Sequence, residues 1–171
     1  TWRSRAGSTG RRRHYPNART SFGVDKHMPD FMIKNGDMLK VTVTPPAIVP
    51  QLAAPIPLVG TGMPTSVNSQ TVCLEGDELP PALRGPLMYT APPFVTPGMG
   101  TLTVTLMPLN KTLRTTISGR AALLKGATFT ATFSVTVPAM QPTPAGPVPD
   151  PVVVKPCTAQ FITSTTDALA A

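Results

Sequence analysis

The spacing of proline is what most limits the folds open to this chain. Between Pro45 and Pro64 there are six prolines, in an otherwise apolar stretch. Proline fixes φ and has no N–H to donate, so neither a helix nor a central strand can run through that stretch. Residues 79–100 and 138–151 are built the same way. What lies between these stretches is short, and its apolar residues repeat every second position. Leu39, Val41 and Val43 alternate with Lys40, Thr42 and Thr44. Leu102, Val104 and Leu106 alternate with threonine and end at Met107. Thr128 to Val137 is the longest and clearest case, with Phe129, Ala131, Phe133, Val135 and Val137 on one face and Thr or Ser on the other. A period of two is the mark of a half-buried strand.

The weaker signals agree. Val67 to Val72 reads as a tight hairpin with polar turn residues, followed by a second turn at Gly76-Asp77. Asn35-Gly36-Asp37 is a turn. Thr112 to Ser118 is a weaker strand closed by Ser118-Gly119, and Ala121 to Lys125 is a short apolar strand ended by Gly126. Ile56 to Val59 is expected on an edge and Leu87 to Tyr89 as a short strand. Val152 to Val154 and Thr158 to Thr163 read as two late strands. Residues 138–151 read as an extended Pro-rich connector and 166–171 as a frayed tail. The sum is about seven to nine short strands and no helix longer than a turn, so the fold class is all-β, a compact cone or prism of short strands and tight turns.

Charge divides the chain in two. Residues 1–27 hold seven Lys or Arg against one Asp, a net +6, and the remaining residues hold eight against seven, a net +1. The basic arm 1–27 has no apolar periodicity and is expected to be disordered alone. Clustered arginine suits nucleic acid or another anionic surface. The composition change at Met28 favours the plainer reading of a solvated tail or upstream leader before a start at Met28 or Met32. Residues 28–171 then form a single β domain. There is no apolar run long enough for a transmembrane helix and no signal-peptide pattern at the N-terminus.

Few residues could carry chemistry. His14 and His27 both lie in the arm, so the body lacks a histidine base for a serine or cysteine nucleophile. Glu75, Asp77 and Glu78 cluster in a Gly-Pro turn, where acids are expected as solvated turn formers. Cys73 and Cys157 are the only cysteines. They could form one bridge, or supply at most two of the four ligands a zinc site needs, or remain buried thiols; the last is the blandest reading. Nothing in the chain reads as a phosphate or dinucleotide loop. The expectation is no enzyme, no cofactor and no stable nucleic-acid partner: a part that works by shape and docking.

Several segments together resemble the PAAR-like spike-tip proteins of contractile injection systems, the phage-tail-like machines. They are MIKNGDMLKV, the Pro-rich stretch ending LVGTG, SVNSQTVCLEGDELP, YTAPPFVTPGMGTLTV, SGRAALLKGATFTATFSVTVPAMQP, PVPDP and FITSTTDAL. The resemblance implies a small β cone that caps a trimeric, VgrG-like spike, sharpens it for envelope puncture and can hold an effector. It implies assembly in the cytoplasm and a place at the distal tip of the particle, outside the cell once deployed. Typical PAAR proteins hold zinc near the apex through three His and one Cys. This chain lacks those histidines and the Pro-Ala-Ala-Arg motif, so its stiffness would come from Pro, Gly and packing. A capsid cement protein of a tailed phage and a nucleic-acid binder acting through the Arg-rich arm are the alternatives.

Overall fold

The computed structural model describes residues 30–164 and 169–170. The expectations for the arm 1–27 and for most of the tail therefore lie outside the described residues. In chain order the strands are β1 (Asp30–Phe31), β2 (Met38–Val43), β3 (Ile56–Pro57), β4 (Ser66–Val67), β5 (Gln70–Thr71), β6 (Leu87–Ala91) and β7 (Phe94–Thr105). They continue as β8 (Lys111–Ile117), β9 (Arg120–Leu123), β10 (Phe129–Val137), β11 (Met140–Gln141), β12 (Val148–Pro149), β13 (Val154–Ile162) and β14 (Leu169–Ala170). Among the described residues the only helical turns are three 3-10 turns, at Pro50–Leu52, Pro81–Leu83 and Pro108–Asn110. Each starts on proline, whose missing N–H is not needed there. The protein is all-β.

The larger part is one curled antiparallel sheet in the order β12-β11-β7-β10-β13-β2-β3, with β6 on the other side of β7. The chain leaving β2 crosses to the far edge, where Ile48 and Thr90 exchange both backbone hydrogen bonds at 2.8 and 2.9 Å. That crossing bends the sheet into a half-barrel. Alternation fills it: β13 is buried at every second residue, and Leu39, Val41, Leu102, Phe129, Ala131, Phe133, Ala159 and Phe161 point inward. Phe129 packs on Phe161 with centroids 4.7 Å apart, and Tyr89 meets Phe133 edge-on at 5.6 Å. Gly100 lets the β7 backbone approach closely, because a Cβ there would collide with the Phe133 ring.

The strands inferred from alternation are present, and four local readings change. First, β7 begins at Phe94 and runs through Pro97. That proline falls between Met99, the last residue paired with β10, and Thr96, paired with β11, so its nitrogen is spared a ladder bond. Second, the connector 138–151 folds back as the small ladder β11–β12. Third, the two late strands are one. The carbonyl of Pro156 accepts Thr44 N–H at 3.1 Å, so its ring nitrogen faces the same side, just past the end of β2. Fourth, Leu169–Ala170 in the tail pairs with β1.

Candidate functional site

At one end of the half-barrel three segments of the chain form a prism. They are Phe31–Asp37 (FMIKNGD), Thr71–Asp77 (TVCLEGD) and Ala121–Ala127 (AALLKGA). Each pairs with one neighbour through its first half and with the other through its second. The hydrogen bonds close in a ring: Ile33 N–H donates to Leu123 C=O, Leu123 N–H to Cys73 C=O, and Cys73 N–H to Ile33 C=O, each at 2.9 Å. A second ring surrounds it, from Asn35 to Thr71 (2.7 Å), Glu75 to Ala121 (2.8 Å) and Lys125 to Phe31 (2.9 Å), written donor first. The hub residues Ile33, Cys73 and Leu123 are completely buried. A single chain thus builds a pseudo-threefold axis.

Local chemistry explains each corner. All three segments turn on a glycine with positive φ, at Gly36, Gly76 and Gly126 (87°, 101° and 53°), a conformation that side chains resist. In two corners the next residue is a buried Asp that locks the turn. Asp77 Oδ2 accepts Leu74 N–H at 2.9 Å, as Asp37 Oδ2 accepts Lys34 N–H at 3.0 Å. In the third corner Ala127 has no such oxygen, and the backbone C=O of Asn110 takes Leu124 N–H instead at 2.8 Å. Asp77 is therefore not a solvated turn former, as its setting suggested. It is 4% exposed and also accepts from the backbone and hydroxyl of Thr61 and from Arg120. Glu75 stays at the surface and pairs with Lys111.

An outer strand lies against each segment. Ser66 opposes Thr71 and Thr116 opposes Ala121, in hairpins whose turns, Asn68-Ser69 and Ser118-Gly119, have positive φ at both positions. Such turns match the twist of paired strands. Leu169 opposes Phe31 in the same way, so a strand from the other end of the described chain completes the Phe31–Asp37 corner. Among the described residues β4, β8 and β14 each pair on one side only, leaving three outward strand edges.

Neither cysteine takes part in a bridge. Cys73 is a hub residue of the prism, whereas Cys157 lies in the half-barrel opposite Ala131 and Val43. Burial, then the charges of Asp77 and Asp37, push the Cys73 thiol up to about 12. Burial also raises Cys157. Both thiols are protonated and packed at neutral pH. Among the described residues no group of three or more His, Cys, Asp or Glu is arranged to hold a metal. His14 and His27 lie outside the described residues.

Sequence reasoning missed the prism, although its signal was present. The stretches Val67–Asp77 and Ile117–Ala127 lie fifty positions apart, and both place a two-residue turn, an apolar run and a glycine in the same order. It also missed a buried network at the opposite end of the barrel. There Lys155 Nζ donates to Asp150 at 2.7 Å, as does the Tyr89 hydroxyl at 3.0 Å, and that hydroxyl accepts Ala139 N–H. Burial opposes the charge on Asp150, but the bonds from Lys155, Val152 N–H and Tyr89 outweigh it and hold the carboxyl below its ordinary range. Burial and the neighbouring carboxylate raise Tyr89. These groups satisfy one another and leave no base free for a substrate. Beside them lies an apolar cleft of about 220 Å³ lined by prolines and Phe94.

The described residues thus place a buried hub and three outward strand edges at one end of the fold. The sequence pattern of the family described as contractile injection system spike tip protein matches residues 28–171. The chain belongs to this family. No curated protein sequence matches it. A structural part at the tip of a contractile particle's spike is thus the class of role, and the fold agrees with it.

Proposed function

We propose that one copy of this chain caps a trimeric spike, with the prism seated on the spike's blunt threefold end. The observation that carries this reading is the closed ring of hydrogen bonds linking Ile33, Cys73 and Leu123. The end of a trimer offers three identical sites related by rotation. One asymmetric chain meets all three alike only if it repeats its own backbone three times, as the prism does. Corresponding side chains differ: Lys34, Leu74 and Leu124 share one position, and Asn35, Glu75 and Lys125 another. The match therefore rests on backbone, and the outward edges of β4, β8 and β14 are suited to extension by a strand of each spike chain. Capping in this way satisfies the spike's own open strand ends, and the particle drives the capped point through a target envelope. Assembly before release and carriage of an effector fit the same seat.

Co-expression with the spike protein of the same particle, followed by native mass measurement, tests the reading. The expected complex holds three spike chains and one copy of this protein. A protein that stays alone, binds three per trimer, or decorates particles in hundreds of copies, as a capsid cement would, overturns it. Removing residues 1–27 is expected to leave the complex intact.

A further inference from the structure

Charge is segregated along the long axis of the molecule. At the end away from the prism the chain consists of residues 43–49, 88–100 and 134–156. Those stretches contain only two side chains that carry charge at neutral pH, Asp150 and Lys155. The two form an ion pair at 2.7 Å, and their side chains are 3% and 6% exposed. The Tyr89 hydroxyl donates to the same carboxylate, and the Lys155 ammonium sits 4.9 Å from the Tyr89 ring centroid. Every other described Asp, Glu, Lys and Arg lies on the prism or on the stretch of barrel beside it. The surface of the far end is proline, threonine and exposed aliphatic residues. Val95 is 69% exposed and Val153 61%, and Val137, Val148, Val152 and Met99 are also exposed.

We infer that this far end meets the hydrocarbon of the target membrane directly, and that its lack of exposed charge is what allows it in. The inference rests on the proposed seating of the prism on the spike, which leaves the far end leading. A charged side chain carried into a bilayer costs several kcal/mol, about 2.5–3.5 even on the mildest scales. A protein docking surface has no such demand across a whole end of a molecule. Its core is depleted of charge, but its rim is ordinarily polar and charged. Here both core and rim are uncharged, and the one ion pair is withdrawn below the surface. The complement of such an end is an uncharged apolar medium.

The test uses the intact chain and vesicles of zwitterionic phosphatidylcholine at high salt, which screens the basic N-terminal residues. Both native cysteines are buried, so Val153→Cys offers one accessible thiol for an environment-sensitive dye. Leu113→Cys on β8, 59% exposed on the prism, is the control. The expected result is a blue shift on vesicle addition at position 153 and none at 113. Adding Val95→Lys, at a position exposed enough to leave the fold intact, is expected to weaken partition at least about tenfold. No shift at 153, equal shifts at both positions, or indifference to Val95→Lys overturns the inference. So does a far end that ignores lipid yet is shielded by another protein in the assembled particle. Partition without spike binding would fault the proposed seating alone, and spike binding without partition would fault this inference alone.

Discussion

Asp77→Ala is the sharpest test of how the prism is held. In the folded chain both Leu74 N–H and Thr61 N–H bond the same oxygen, Oδ2, at 2.9 Å, and the Thr61 hydroxyl reaches it at 2.8 Å. Alanine leaves the Leu74 amide, in a buried turn, without an acceptor at about 1–3 kcal/mol, and the Thr61 amide, on an exposed residue, loses a bond that water partly replaces, at about 1 kcal/mol. Arg120 loses a partner too, but its side chain is 40% exposed, so that loss is screened and small. The expected total is about 2–4 kcal/mol, a large share of the stability of a domain this size. Asp77→Asn separates acceptor chemistry from charge. Its carbonyl can occupy the Oδ2 position and keep both amides, so the loss should stay near about 1 kcal/mol. Equilibrium urea unfolding, with the midpoint and slope compared across the three proteins, measures both. A cost below about 1 kcal/mol for alanine, or equal costs for alanine and asparagine, would refute the claim that this oxygen closes the corner.

Two further outcomes follow from packing and titration. Gly100→Ala is expected to destabilise by about 1–3 kcal/mol in the same assay, because the new methyl must displace the rigid Phe133 ring; a neutral result would show that β7 can shift away. Cys73 ionises near 9 when unfolded and near about 12 when folded, so its contribution is intact below pH 9 and is lost as pH rises toward 12. Over that window stability should fall more steeply in the native chain than in Cys73→Ala, by up to about 1.4 kcal/mol per pH unit. Parallel slopes in urea melts across the alkaline range would contradict this.

How far the sequence could be read depends on which interactions each element needs. Strands such as β2 and β10 face a core on one side and water on the other, so local alternation announces them. Phe129 and Phe133 were legible as core for that reason. Met140–Gln141 and Val148–Pro149 are too short to show any period, and their pairing depends on the distant edge of β7. Pro97 and Pro156 obscured strand continuity because proline forbids a ladder bond only on the side its nitrogen faces, and sequence does not say which side that is. Asp77 was misjudged for a related reason. A Gly-Asp turn looks the same in sequence whether it faces solvent or lies beneath Thr61 and Arg120.

The prism was hidden by a different kind of ambiguity. Its three segments share a backbone path and a glycine, but only apolar character at the hub, where Ile33, Cys73 and Leu123 differ in shape. Two of the three carry their outer strand in the same hairpin, which is local and can be read. The first borrows its outer strand from Leu169–Ala170, at the other end of the described chain, so no contiguous stretch contains a complete first repeat. That borrowing ties the closing of the threefold end to the folding of everything between. The ends of the described chain meet where the half-barrel sets Ile162 beside Met38. On the proposed seating, a chain unable to make this long-range pairing would offer the spike two complete corners and an open third.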